Sequence, residues 1–158
     1  MDRLADTNVL VRSIERNHPD HQDAVNALER LLRAGDALYI TPQNVVEFWN
    51  VCTRPIDKNG LGLSPAEAHT ETTRLESFLT ILPEIPAIYP EWRRLVLTHS
   101  VSGVQVHDAR IVAAMNTYGI KSILTFNRDD FTRYPGLDIL KKFSDESRRS
   151  DRRCGAGT

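Results

Sequence analysis

The stretch "DRLADTNVLV", Asp2 to Val11, decides how the rest of the chain is read. Its first half contains "RLAD", a short strand of the kind that suits the middle of a parallel sheet, where both faces are covered. Its second half opens "NVLVRSIER", which reads as a helix starting at once. The strand therefore leaves Asp6 at its carboxyl end. A simple Asp-Thr-Asn turn explains that placement, and so does a site that needs a rigidly held carboxylate.

The same alternation continues downstream. "HPDHQDAVNALERLLRAGD" places Ala24, Leu28, Leu31 and Leu32 at helical spacing and stops at Gly35; "ALYI" is a second strand. Thr41-Pro42 supplies an N-cap and a first-turn proline for the helix "PQNVVEFWNVCT". "RPIDKNGLGL", residues 54–63, reads as a loop, and Ser64-Pro65-Ala66-Glu67 is a capping box that opens a helix towards Phe78. A brief extended "LTILP", the helices "PEWRRLVLTHS" and "HDARIVAAMNTYG", the strand "KSILTF" and a last strand within "PGLDIL" follow. Strands alternating with helices predict an α/β fold with a mainly parallel sheet. Residues 1–143 are expected to form one domain, and the polar run at 144–158 a disordered tail.

Composition adds limits. At 41% apolar and 26% charged, the chain of 158 residues has the make-up of a globular domain with one good core. The formal charge of −1 offers no overall basic field, so contact with nucleic acid would rest on local patches. Two distant cysteines, Cys52 and Cys154, do not make a disulfide framework. No apolar run approaches the length of a membrane span and the N-terminus lacks a secretory pattern, so the expected location is cytoplasmic, away from membranes.

Carboxylates carry the chemistry. Asp108 precedes Ile111, Val112 and Met115 by three, four and seven residues, which puts it on the inward stripe of its helix. A helix cap is the ordinary explanation for it. Glu47 stands between Asn44 and Asn50 in a polar row, either a solvated face or a carboxylate flanked by orienting amides. "SILTFNRDDF" sets Thr125, Asn127, Asp129 and Asp130 just after an apolar strand, where a turn is the ordinary explanation. Asp6 and the Asn127–Asp130 group share an address, however: the carboxyl ends of parallel strands, where open sheets build sites. Carboxylates gathered there repel unless protonated, spread or neutralised, and hard divalent cations such as Mg²⁺ favour such oxygen donors. His18 and His21 lack a third ligand, and His107 points about a quarter-turn from Asp108. No phosphate-binding glycine loop or nucleophile motif competes.

These motifs in this order, "DTN" at Asp6–Asn8, "VVEFWNV" with Glu47, "HDARIVAAM" with Asp108 and "LTFNRDDF" ending in Asp130-Phe131, resemble the PIN-domain family. The similarity spans roughly residues 1–143 and is to the small VapC-type toxins of bacterial toxin–antitoxin pairs. It implies a three-layer α/β/α sandwich and an Mg²⁺- or Mn²⁺-dependent ribonuclease with Asp6, Glu47 and Asp108 as its acidic core. Asp6 and Asp108 would be the metal ligands. Many relatives carry their fourth acidic residue where this chain has Asn127, and Asp130 is taken for it here, with Asp129 second. Thr7, Asn8, Thr125 and Asn127 would support the site, and Arg12, Arg110 and Arg128 are candidate phosphate contacts. The resemblance further implies in-line hydrolysis leaving a 5′-phosphate, a homodimer, an RNA substrate and a neutralising antitoxin. The alternatives are a catalytically silent PIN-like module that binds RNA or protein, and a phosphatase or receiver domain. The phosphatase pattern wants an Asp where Asn8 stands.

Overall fold

The computed structural model describes residues 1–140; the expected polar tail lies outside the described residues. Five strands form one sheet in the order β3-β2-β1-β4-β5. They are β1 (Asp2–Ala5), β2 (Ala37–Ile40), β3 (Thr80–Ile81), β4 (Ser122–Leu124) and β5 (Asp138–Leu140). Every pairing is parallel, with Leu4 opposite Tyr39 on one side and Ile123 on the other. The chain steps outward from β1 to β3, then returns to the other side of β1 for β4 and β5. The order reverses between β1 and β4, so their carboxyl ends flank the crevice where such sheets bind ligands.

Six helices cover the sheet: α1 (Thr7–Ile14), α2 (His21–Arg33), α3 (Pro42–Thr53), α4 (Pro65–Glu76), α5 (Ile88–Thr98) and α6 (Gln105–Tyr118). The strands' period of two divides the core into two layers. Ala5, Leu38, Ile40 and Leu124 pack with Leu10, Leu28, Phe48 and Leu75 of α1–α4. Leu4 and Ile123 pack with Leu95, Ile111, Val112 and Met115 of α5 and α6. The result is the expected α/β/α sandwich. Neither of the faces of β1 meets solvent at Leu4 or Ala5, both 0% exposed, which is why so short a strand is apolar throughout its second half.

Local signals set the helix ends that carry the site. Asp6 caps α1, its Oδ1 accepting the Thr7 N–H at 2.7 Å. Thr41 and Asn44 form a reciprocal capping box at α3, with Pro42 in the first turn. Ser64 and Glu67 do the same at α4. Removing that exposed cap by Ser64→Ala is expected to cost about 1 kcal/mol, read as a lower melting temperature without loss of the site. α6 ends in a left-handed Gly119 (φ 72°), but it begins at Gln105, earlier than expected, with Val104 at its N-cap. Asp108 therefore stands inside the first turn and is not the cap.

Candidate active site

Asp6, Glu47, Asp108 and Asp130 line one groove of about 430 Å³, together with Thr7, Asn8, Arg12, Asn50, Arg54, Asn59 and Asn127. Four separate elements deliver the carboxylates: the end of β1, the middle of α3, the first turn of α6 and the 3₁₀ turn Arg128–Asp130 after β4. A second cavity of about 420 Å³, between the ends of α5 and α6, has no acidic residue in its lining. Cys52 is buried and its thiol is pushed up to about 11 by desolvation and by Glu71, so it is no nucleophile.

Asp6 is fixed from three sides. Besides the Thr7 N–H, its Oδ2 accepts from the Asn8 amide and the Thr125 hydroxyl, each at 2.8 Å. Asn8 also donates to Thr125 Oγ1 (3.1 Å) and accepts the Phe126 N–H (3.1 Å), so it ties β1 to β4 across the crevice. That accounts for an amide where a phosphatase would place a second acid. Thr125 Oγ1 further accepts the Asn127 N–H at 3.0 Å.

Glu47 is held by a different chain. Buried Asn44 accepts from the Thr41 N–H and hydroxyl through Oδ1, both at 2.8 Å. Its amide donates to Thr7 Oγ1 (3.1 Å), and Thr7 donates to Glu47 Oε2 (2.8 Å). Gln43 donates to Glu47 Oε1 (2.8 Å) and is itself held by Arg110 (3.2 Å) and the His107 carbonyl (2.9 Å). Amides do orient Glu47, but they are Gln43 and Asn44 rather than the pair Asn44 and Asn50. Asn44 belongs to the core and not to a solvated row.

The remaining expected residues divide clearly. Arg12 lines the groove and pairs with Glu15. Arg110 lies outside the lining and pairs with Glu84 at 2.6 Å, so its structural task is to hold Gln43. Arg128 and Asp129 are exposed and outside the lining, whereas Asp130 is inside it. His107 is exposed, and its carbonyl, not its ring, reaches Gln43. Gln43, Arg54, Asn59 and Arg133 were not singled out by sequence; only Gln43 carried a signal, its i,i+4 relation to Glu47.

The electrostatics are those of crowded acids. Burial pushes the Asp6 carboxyl up to about 6, with Glu47 and Asp130 adding to the shift against the hydrogen bonds from Thr125 and Thr7. Burial pushes Asp108 up to about 7, reinforced by Asp6, Asp130 and Glu47 and opposed by Arg133. Both shifts raise a folded-state pKa above the ordinary value of 3.8. The stability they confer is present below about pH 4 and is lost as pH rises through about 6 to 7. In EDTA the melting temperature is expected to fall between pH 5 and pH 8. Millimolar Mn²⁺ should restore it at pH 8 by several degrees, and restore less at pH 5. A flat profile, or equal Mn²⁺ effects at both values, contradicts an unneutralised acidic site.

The donor set suits a hard cation in one particular way. Among the described residues no three acidic, histidine or cysteine side chains form a ready-made ligand cluster. Mg²⁺ is commonly held by only one or two carboxylates while it keeps several waters. Asp6, held by the Asn8 amide N–H and the Thr125 hydroxyl, and Asp108 fit that mode.

The family profile described as PIN domain matches residues 3–137. Ribonuclease VapC48 of Mycobacterium tuberculosis is 29% identical over 146 residues, covering 91% of this chain and 99% of that protein. Among solved structures, VapBC2 of Rickettsia felis bound to a promoter DNA fragment aligns with a TM-score of 0.68 at 17% identity, covering 89% and 98% of the two chains. VapC20 of Mycobacterium tuberculosis, described as a sarcin-ricin-loop-cleaving toxin, aligns at 0.62 and 16%, covering 81% and 92%. At these identities the structural likeness speaks for the fold.

Proposed function

The chain belongs to the PIN-domain family, and from that premise we propose that it is a divalent-cation-dependent ribonuclease, the toxin of a toxin–antitoxin pair. The observation that carries the reading is the convergence of Asp6, Glu47, Asp108 and Asp130 on one groove at the switch point of a parallel sheet. Support also comes from the ribonuclease name of its 29% identical relative and from solved toxin–antitoxin assemblies with the same fold.

Asp6 and Asp108 would hold Mg²⁺ or Mn²⁺. Such an ion, when bound, lowers the pKa of a coordinated water and offsets the charge of a phosphodiester. Glu47, aimed by Thr7 and Gln43, is placed to accept a proton from the attacking water. Asp130 adds the fourth negative charge, and Asn127 lines the groove beside it. Thr125 and Asn8 keep the Asp6 carboxylate from rotating as charge develops. The products of this arrangement are a 5′-phosphate and a 3′-hydroxyl. An antitoxin segment covering the groove, an assembly as homodimer and action in the cytoplasm complete the reading. Among the described residues no helix is long and apolar enough to cross a membrane.

The test is expression of the wild-type chain in a bacterial host beside its Asp6→Asn variant. Growth arrest by the first and not the second, with RNA cleavage by the purified protein in Mn²⁺, is expected. Equal growth of both, with intact RNA, rejects the toxin reading.

A further inference from the structure

An acidic groove repels the polyanion it is meant to cut, and a fixed cation lining it would aid substrate binding beyond what the proposed metal ion supplies. Two arginines line it, Arg12 and Arg54. Arg12 is already paired with Glu15. Arg54 forms no ion pair among the described residues, and its buried Nε–H has no acceptor. With no carboxylate partner among the described residues its charge is unneutralised, and a guanidinium is suited to phosphate.

The loop after α3 is folded around this side chain. Arg54 is the C-cap of α3, in an extended conformation as the residue before Pro55. Its carbonyl accepts the Gly62 N–H (2.9 Å), and its Nη2 donates to the Asn59 carbonyl (2.9 Å). A Cβ on Gly60 would overlap the Arg54 carbonyl, so only glycine allows that approach. Leu61 N–H and Leu63 N–H return to the carbonyls of Val51 and Cys52. The loop thus orders a long cationic side chain before any ligand arrives, which reduces the entropy lost on binding.

We propose that Arg54, pre-positioned by the 54–63 loop, receives a phosphate of single-stranded RNA beside the carboxylates and so positions the substrate. The proposal rests on the ribonuclease reading. Its test uses the full chain carrying Asp108→Asn, in EDTA, so that RNA is bound and not cut. The probe is a fluorescein-labelled single-stranded decaribonucleotide, followed by anisotropy between about 50 and 200 mM salt.

Arg54→Gln is expected to weaken binding about tenfold and to reduce the slope of log affinity against log salt by about 0.7, the value for one single-strand phosphate contact. Arg54→Lys should recover the slope but only part of the affinity, since an ammonium lacks the fork. In the otherwise wild-type chain, Arg54→Gln should raise KM and largely spare kcat. Unchanged binding, an unchanged salt slope, or a parent that binds no RNA overturns the proposal. Loss of affinity for a polyglutamate peptide with RNA binding intact also overturns it, assigning Arg54 to a protein partner. Cleavage by the wild type in Mn²⁺ is read separately, so failure of Arg54 leaves the ribonuclease reading standing.

Discussion

Asp108→Asn is expected to lower RNA cleavage at least about a thousandfold while raising the melting temperature of the metal-free protein at pH 8. The two effects have one cause. Asp108 accepts no hydrogen bond among the described residues; burial pushes its carboxyl towards the protonated form, and Asp6, Asp130 and Glu47 reinforce that push. A neutral amide of the same shape removes the buried charge and its repulsion and, with them, half of the proposed cation-binding pair. Asp6→Asn should abolish cleavage as well, but without the gain in stability. Its Oδ2 accepts from both Asn8 and Thr125, and an amide nitrogen there would face two donors. One substitution therefore stabilises and the other does not, although both inactivate. Melting curves in EDTA at pH 8 and cleavage assays in Mn²⁺ separate the two. Equal or lower stability of Asp108→Asn would show that burial and repulsion of this charge do not govern the site.

Asn44→Ala is the second large expected effect, and it falls first on the fold. Asn44 is 0% exposed and joins the cap of α3 to Thr7 in α1. Truncation leaves the buried Thr41 N–H without an acceptor and Thr7 Oγ1 without a donor, a loss of about 2–4 kcal/mol. In a domain of this size that lowers the melting temperature by roughly 5–15 °C. Glu47 would keep Gln43 but lose the fixed direction of the Thr7 hydroxyl, so residual activity should drop even where the protein stays folded. A melting temperature within about 2 °C of wild type would mean that water or a shifted side chain replaces Asn44 at little cost.

Much of this was legible in the sequence because it depended on periodicity along one element. A strand only four residues long, Asp2–Ala5, could be read from its apolar run and from the helix that follows immediately. Asp108 could be aimed inward because it shares a helical stripe with Ile111, Val112 and Met115, all buried. What escaped reading depends on contacts between distant elements. Asn44 falls in the same helical row as Glu47 and Asn50, and only the approach of Thr7 from α1 makes it part of the core. Arg110 resembles any surface arginine until α6 is packed beside Gln43 and Glu84. Arg54 sits at the start of a glycine-containing loop whose turns offered no periodicity, and its direction follows from hydrogen bonds to Asn59 and Gly62. The early start of α6 was hidden for a simpler reason: Val104 at its N-cap supplies no side-chain cap to announce it.

In the proposed function these carboxylates hold a divalent cation that makes water the nucleophile against RNA. Analysis of the ends left on a 5′-labelled RNA, cut by EDTA-treated wild-type protein with and without added Mn²⁺, tests it most directly. No cleavage is expected in EDTA, with recovery in Mn²⁺ and fragments ending in 5′-phosphate and 3′-hydroxyl. Cleavage that persists in EDTA, or fragments ending in a 2′,3′-cyclic phosphate, would mean that the RNA's own 2′-hydroxyl attacks and that the acidic groove does something else.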